Sequence, residues 1–160
     1  EDEAIGALLH DAIEDQGDSY AGGRDGLRTE IERRFGGLVI EIVNGCTDDD
    51  GFAKGKASSP AEEAAAWRLR KQAYLERLPR KRPPVLRVSC ADKLHNARSI
   101  VADFHEHGEA LWSRFRAKRG SDHLWYYSEL CRIFLEVFPS NLARELQRTV
   151  RNWERILQGQ

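Results

Sequence analysis

The sequence predicts an all-α protein of about six to eight helices. Apolar residues recur at three- and four-residue spacing along nearly the whole chain, which is the period of an amphipathic helix. The sequence contains no runs of alternating apolar and polar residues of the kind that indicate strands. A chain of 160 residues is long enough to bury its own core. We therefore expect residues 1–160 to form a single helical domain.

The first half of the chain is predicted to contain four helices. The first covers about residues 2–15 and the second about residues 24–35, each ending at a glycine. The third, LVIEIVNGCT over residues 38–47, is apolar on most sides and is expected to be central. The segment Ser59-Pro60-Ala61-Glu62 has the pattern of a capping box with proline at the first helical position, and it predicts a fourth helix that runs to about Leu78.

The second half is predicted to contain one long helix and two or three shorter ones. The long helix covers about residues 84–107 and follows the helix-breaking stretch PRKRPP. An apolar stripe is expected to anchor it to the core: Leu94, Ala97, Val101 and Phe104. The remaining helices are separated by breaks near Gly108, Gly120 and Pro139-Ser140.

Composition excludes several broad classes. The formal net charge is −1, so we expect no nucleic-acid partner and no membrane partner. No apolar run approaches the roughly 18 residues of a membrane span, and we expect a cytoplasmic protein. Cys46, Cys90 and Cys131 show no CxxC spacing and are predicted to be reduced thiols. The oligomeric state is left open.

The stretch LLHDAIED, residues 8–15, crowds one histidine and three acids onto about one and a half helical turns: His10, Asp11, Glu14 and Asp15. Like charges three and four residues apart share a face and repel, so helix stability does not explain the choice. A bound divalent cation would explain this choice of residues, because imidazole and carboxylate together suit a first-row metal such as manganese, iron or zinc. We interpret His10 and Asp11 as metal ligands, with further ligands expected from elsewhere in the chain.

The long helix predicted over residues 84–107 offers candidates for the further metal ligands. A polar stripe runs along one side of it, at offsets of four, seven and eleven residues: Asp92, Asn96, Ser99 and Asp103. A buried aspartate is costly unless it meets a cation or hydrogen-bond donors, so we expect Asp92 to point at the metal held by His10 and Asp11. Asn96 and Ser99 are expected to hold a substrate or a water. A lone helical histidine is more often structural, and it is the combination of the two motifs that favours a metal site.

These motifs resemble those of the HD superfamily of metal-dependent phosphohydrolases, and specifically its RelA/SpoT-type branch of guanosine tetraphosphate hydrolases. The segment ALLHDAIED is similar to ALLHDxxED of that branch, FGGLVIEIVNGCT to FGxxVxxxVxGxT, and ADKLHNARS to ADRLHNMRT. The resemblance covers about residues 4–105. It implies the helical bundle of an HD domain and an activity that removes pyrophosphate from the 3′ position of the stringent-response nucleotide, as in the small, hydrolase-only forms.

The resemblance also implies residue roles. His10, Asp11 and Asp92 would bind the divalent metal, for which we expect Mn²⁺. Glu14 and Asp15 would orient or deprotonate the attacking water, while Asn96 and Ser99 would line the nucleotide site. Lys54 and Lys56 would contact the substrate, because the family places this loop near its active site; the other reading of these lysines is a solvated loop.

One departure from the family pattern concerns the metal site. The family has a further metal-binding histidine on a helix upstream of the His-Asp pair, but nine residues precede His10 and none of them is histidine. We therefore expect the natural chain to begin before residue 1, so that residues 1–160 lack the N-terminal helix of the domain. Two other functions stay open: a non-catalytic or regulatory nucleotide-binding module with an incomplete metal site, and a phosphohydrolase acting on another nucleotide.

Overall fold

The computed structural model describes residues 1–47, 59–115 and 119–159. Within these ranges the chain contains eight α-helices and no strand, which confirms the all-α prediction. The helices are α1 (Asp2–Leu9), α2 (Ala12–Gln16), α3 (Gly23–Phe35), α4 (Gly37–Cys46), α5 (Pro60–Arg77), α6 (Pro83–His107), α7 (Gly120–Val137) and α8 (Asn141–Leu157). Two 3₁₀ segments cover Leu78–Arg80 and Gly108–Arg114. None of the described helices is both long and apolar enough to cross a membrane.

Helix ends agree with the prediction where the sequence carries a capping signal. The hydroxyl of Ser59 accepts a hydrogen bond from the Glu62 N–H at 3.3 Å, and Pro60 occupies the first turn of α5. In the same way Ser140 caps α8 by accepting from the Ala143 N–H at 3.1 Å. Such a cap satisfies a backbone donor that has no partner inside the helix, so its position can be read locally.

The described residues form two compact units. One unit comprises the described residues of 1–51 and 81–89, and the other comprises those of 52–80 and 90–160. The interpretation of residues 1–160 as one domain stays a prediction.

In the first unit, α1, α2 and α3 pack around α4. Val39, Ile42 and Val43 of α4 are fully buried, which confirms the prediction of a central apolar helix. α1 approaches α4 closely at Gly6, where an added Cβ would lie 2.6 Å from Cγ2 of Ile42. Glycine at this position therefore sets the distance between the two helices.

The prediction of one helix over residues 2–15 is wrong, because a turn at His10 and Asp11 separates α1 from α2. The Nδ1 of His10 donates to the Ala7 carbonyl at 2.8 Å. In a continuous helix that carbonyl would accept from the Asp11 N–H. A side chain thus competes with the backbone for one helical hydrogen bond, and apolar periodicity does not report such a competition.

In the second unit, α7 packs against α5 and α8 around large aromatic side chains. Tyr74 of α5, Phe134 of α7 and Trp153 of α8 have no exposed surface. The ring of Trp112 lies 5.9 Å from that of Trp153 and nearly parallel to it, at 14°. Aromatic rings bury large areas in defined geometries, so this core fixes the faces that α5 and α7 turn towards each other.

We predict that Gly6→Ala lowers the free energy of unfolding by about 1–2 kcal/mol. Overpacking costs about 1–3 kcal/mol, whereas exchanging glycine for alanine in a helix returns up to about 1 kcal/mol. Denaturant unfolding followed by circular dichroism measures the change. Gly37→Ala in α4 is the matched control, since a Cβ there meets no atom of the described residues within 4 Å; a Gly6→Ala protein as stable as this control would contradict the close approach.

Candidate active site

The turn between α1 and α2 directs His10 and Asp11 at each other. Asp11 occupies the N-cap position of α2, and its Oδ2 lies 2.9 Å from Nε2 of His10. A carbonyl can only accept, so the bond to Ala7 assigns a proton to Nδ1 of His10. In the neutral ring, Nε2 then presents a lone pair to a carboxylate oxygen. Two such lone pairs are stable side by side only when a proton or a cation shares them.

This geometry fits a metal site. Two donor atoms that are each about 2.1 Å from a metal ion and at right angles to each other are about 3 Å apart. The 2.9 Å between Nε2 and Oδ2 matches that separation. Within the three described ranges, however, no group of three or more His, Cys, Asp and Glu side chains is arranged to hold a metal ion. His10 and Asp11 fit as part of a metal site, and their role as ligands stays a prediction.

Glu14 and Asp15 lie in the first turn of α2. Their backbone N–H groups donate to the Asp11 carbonyl at 3.0 and 2.9 Å. Acidic side chains at a helix N-terminus are favourable by about 0.3–1 kcal/mol because of the helix macrodipole. The expectation that helix stability does not account for these acids assumed a continuous helix, and it stays a prediction. Their catalytic role stays a prediction.

Asp92 is nearly buried within α6, with 9% of its side chain exposed. Nζ of Lys93, whose side chain is 10% exposed, lies 2.8 Å from Oδ2. Nδ2 of Asn96 donates to Oδ1, also at 2.8 Å. The expected desolvation cost is thus met by neighbouring donors on the same helix rather than requiring a metal. That Asp92 shares a cation with His10 and Asp11 stays a prediction.

A cavity of about 430 Å³ opens beside Asn96 in the second unit. Its volume lies in the range of small-molecule sites. The prediction that Asn96, Ser99 and Asp103 share one side of the helix is confirmed, because all three line this cavity. The lining residues are Trp67, Lys71, Lys93, Asn96, Ser99, Ile100, Asp103, Phe115, His123, Tyr126 and Tyr127. Lys54 and Lys56, the other predicted substrate contacts, lie outside the described residues.

The wall opposite the polar stripe is aromatic and was not predicted. The ring of His123 is buried and lies 5.0 Å from that of Trp67 and 4.8 Å from that of Phe115. The ammonium of Lys71 lies 4.7 Å from the centroid of the Tyr126 ring, within the range of a cation–π interaction. Trp67 and Lys71 are four residues apart on α5, which places them on one face. The sequence shows this spacing, but it does not show which helix packs against this face of α5.

The comparisons with known proteins agree with the motifs. A family model described as "HD domain" matches residues 1–121. The chain belongs to the HD-domain family. A search of curated proteins finds no match to it. HD domains are in general metal-dependent phosphohydrolases, and the matched range contains both the His10-Asp11 pair and Asp92. The RelA/SpoT-type branch stays a prediction.

The cysteine nearest to Asp92 in the sequence, Cys90, is buried. Burial, together with the charge of the nearby Cys131, raises the pKa of the Cys90 thiol to about 12. The thiolate is the nucleophilic form of cysteine. Cys90 is therefore an uncharged thiol of the core at neutral pH.

We predict that Mn²⁺ stabilises the wild-type HD-domain protein and that Asp11→Asn removes this stabilisation. A ligand that binds only the folded state at 100 times its Kd adds about 2.7 kcal/mol to the free energy of unfolding. Thermal unfolding with and without Mn²⁺ measures the shift, and excess EDTA should reverse it. Glu32→Gln, an exposed acid on α3, is the control that keeps the full shift. An equal Mn²⁺ shift in Asp11→Asn would refute the assignment of Asp11 as a ligand.

Proposed function

We propose that this protein is a divalent-metal-dependent phosphohydrolase that removes pyrophosphate from the 3′ position of guanosine tetraphosphate or pentaphosphate, or of a related phosphorylated nucleotide. The single observation that carries the proposal is the His10–Asp11 turn, where Nε2 and a carboxylate oxygen lie 2.9 Å apart with Nδ1 held by the Ala7 carbonyl. Membership of the HD-domain family and the resemblance of both motifs to the RelA/SpoT-type branch support it.

The metal would be held by His10 and Asp11 of the turn and, we propose, by Asp92. When bound, a divalent cation lowers the pKa of its water and neutralises charge on phosphoryl oxygens. We assign Mn²⁺ as the ion, because the mixed nitrogen and oxygen donors suit a first-row metal. The hydrogen bond from His10 to Ala7 orients the ring, in the way that partners of metal-binding histidines commonly do.

Glu14 and Asp15 are the proposed acidic pair for proton transfer. A water attacks the phosphorus bonded to the 3′ oxygen, the bond from phosphorus to that oxygen breaks, and pyrophosphate leaves. One of the two carboxylates takes a proton from the attacking water as a general base, and that proton is then returned to the departing 3′ oxygen, which ends as a hydroxyl. Their place directly after the His10–Asp11 turn supports this role.

Asn96 and Ser99 are the proposed contacts to the nucleotide. Both line the 430 Å³ cavity, and Lys71 brings a positive charge to the same lining, where the charge of Lys93 is paired with that of Asp92. Anionic groups of a nucleotide are stabilised beside ammonium groups at the edge of such a cavity. Lys54 and Lys56 are proposed as further contacts on the family resemblance alone.

A second candidate is a nucleotide-binding module without turnover. One observation favours it: both carboxylate oxygens of Asp92 are engaged by Lys93 and Asn96. An aspartate balanced in this way is stable without a metal ion. Such a module would bind nucleotides in the cavity of the second unit and release no product.

Incubation of the protein with a panel of phosphorylated nucleotides tests the proposal. The expected result is pyrophosphate release from guanosine tetraphosphate in Mn²⁺, with no release in EDTA and none from GTP, which has no 3′ pyrophosphate. The absence of phosphate and pyrophosphate release from every nucleotide in Mn²⁺ would overturn the enzymatic proposal. Nucleotide binding in that case would favour the second candidate.

We predict that Glu14→Gln lowers kcat by about 10²–10⁴, the usual contribution of a general base. The Mn²⁺-induced stabilisation should stay at its wild-type value, since Glu14 is not assigned as a ligand. Steady-state kinetics and thermal unfolding, run on the same preparation, separate the two effects. Glu32→Gln should retain both. A Glu14→Gln protein with wild-type kcat would leave Asp15 as the base and contradict the role given to Glu14.

A further inference from the structure

One exposed face of α8 carries a row of arginines, which we call the arginine stripe. Its members are Arg144, Arg148, Arg151 and Arg155, all of them exposed. Their offsets are four, three and four residues, so at about 100° per residue they lie within an arc of about 60° and extend over about 16 Å of the helix. α8 lies outside residues 1–121, the range that the HD-domain model matches. The arginine stripe is therefore separate from the family motifs.

The core determines which side of α8 faces the solvent. Ala143, Leu146 and Trp153 lie on the opposite side of the helix and have no exposed surface, and α8 packs on α7. A helix with one buried apolar face cannot rotate about its axis without exposing that face. The packing of α8 therefore holds the arginine stripe towards the solvent.

Much of the positive charge of the arginine stripe is not neutralised within the chain. Glu145, one of the two acids of α8, pairs with Arg148 and lies 3.6 Å from Arg98 of α6, so one carboxylate is shared by two guanidinium groups. Among the described residues, Arg151 and Arg155 have no ion-pair partner. The C-terminal half of the stripe thus presents two guanidinium groups that can each bind an external anion in a bidentate manner.

The surroundings of the arginine stripe favour phosphate groups as its ligands over a protein surface or a membrane. Protein interfaces depend on aromatic and apolar anchors, and helices on a membrane surface insert an apolar face into the lipid. In the part of the chain that the structure describes, the exposed large hydrophobic side chains are Leu8, Tyr20, Phe35 and Leu69, and none of them lies on α8. A phosphate backbone requires positive charge and no apolar anchor.

The same face favours a duplex over a single strand. Proteins that bind single strands stack the bases on aromatic side chains within a positively charged groove. Trp153 is the aromatic residue of α8, and its side chain is fully buried. A duplex keeps its bases stacked inside and presents its phosphates outside, where arginines contact them irrespective of sequence.

We propose that the arginine stripe of α8 is an interaction surface for the phosphate backbone of a nucleic-acid duplex, bound without recognition of the base sequence. The inference goes beyond the proposed hydrolase and does not depend on it. It departs from the expectation of no nucleic-acid partner, which used the net charge of −1 of the whole chain. Charges act mainly within a Debye length, about 8 Å at physiological ionic strength, so the local row of arginines determines binding at this face.

Fluorescence anisotropy of a labelled DNA duplex, titrated with the full chain in EDTA at several salt concentrations, tests the inference. Four phosphate contacts should give a plot of log K against log salt concentration with a slope of about −3.6. At physiological salt the Kd should be on the order of 10⁻⁶ to 10⁻⁴ M, as for other sequence-independent contacts. The absence of binding at low salt, or a slope shallower than about −2, would overturn the inference.

A protein with both Arg151→Gln and Arg155→Gln tests the residues themselves. The slope should become shallower by about two, because each lost phosphate contact changes it by about one. The corresponding double lysine variant keeps both charges and should keep the wild-type slope. A wild-type slope in the double glutamine variant would refute the role of the arginine stripe.

The matched control carries Arg33→Gln and Arg34→Gln in α3. These arginines are also exposed, and their replacement changes the net charge by the same amount. The control should keep the wild-type slope, whereas an equal loss in the control and in the α8 variant would show an effect of net charge and overturn the assignment to α8. Circular dichroism and thermal unfolding verify that each variant folds.

Competition against the labelled duplex separates the other anionic partners. The competitors are unlabelled duplex, single-stranded DNA, a polyglutamate peptide and vesicles that contain phosphatidylserine, compared at equal negative charge. Displacement at the lowest concentration by unlabelled duplex would support the inference, and displacement at a lower concentration by any other competitor would overturn it. The double glutamine variant should release pyrophosphate at the wild-type rate, so failure of duplex binding and failure of the hydrolase are distinguishable.

Discussion

Burial of the Asp92 carboxylate is the constraint on which the polar chemistry of the second unit depends. A carboxylate with 9% of its surface exposed must be matched by donors, and Lys93 and Asn96 provide them from the same helix. Both donors also line the cavity. The ammonium of Lys93 lies 5.4 Å from the centroid of the Tyr74 ring, so its position is restrained by the aromatic core as well as by Asp92. The need to balance one buried charge thus sets the groups that a ligand would meet at this end of the cavity.

At the His10–Asp11 turn the negative charge is exposed to solvent and not balanced by burial among donors, unlike that of Asp92. Asp11 is mostly exposed, and its charge is directed at an imidazole whose other nitrogen is already committed to a backbone carbonyl. The bond that orients the ring lies at the position where α1 ends, so the orientation of the ring and the end of the helix coincide. A sequence that continued the helix through this position would place Asp11 on a helical face and not opposite Nε2. The turn is therefore part of the candidate metal site and not only a connection between α1 and α2.

The sequence predicted those features of the fold that a few neighbouring residues determine. The serine cap of α5, the break before α8 and the extent of α6 depend on a few adjacent residues, and the sequence predicted each of them. It failed at the α1–α2 break, because the competing hydrogen bond comes from the side chain of His10, which the apolar pattern does not weigh. It also missed Trp67 and His123, which meet only because α5 packs on α7; no pattern within either segment specifies that pairing. The sequence predicted the polar stripe along one side of α6. It could not predict the aromatic wall across the cavity, because that wall forms only when other segments pack together.

The polar stripe comes from one helix, whereas the aromatic wall comes from several segments. This difference affects how one scaffold can serve several substrates. The polar stripe lies on α6, and the hydrogen bond between Asp92 and Asn96 joins two residues of that one helix. The aromatic wall is contributed by α5, α7 and the 3₁₀ region that ends near Phe115, so substitutions there change the shape of the cavity. The Asp92 cluster thus comes from one helix and the aromatic wall from three other segments of the second unit, so that selection for a different substrate can act on the wall while the motif on α6 is kept.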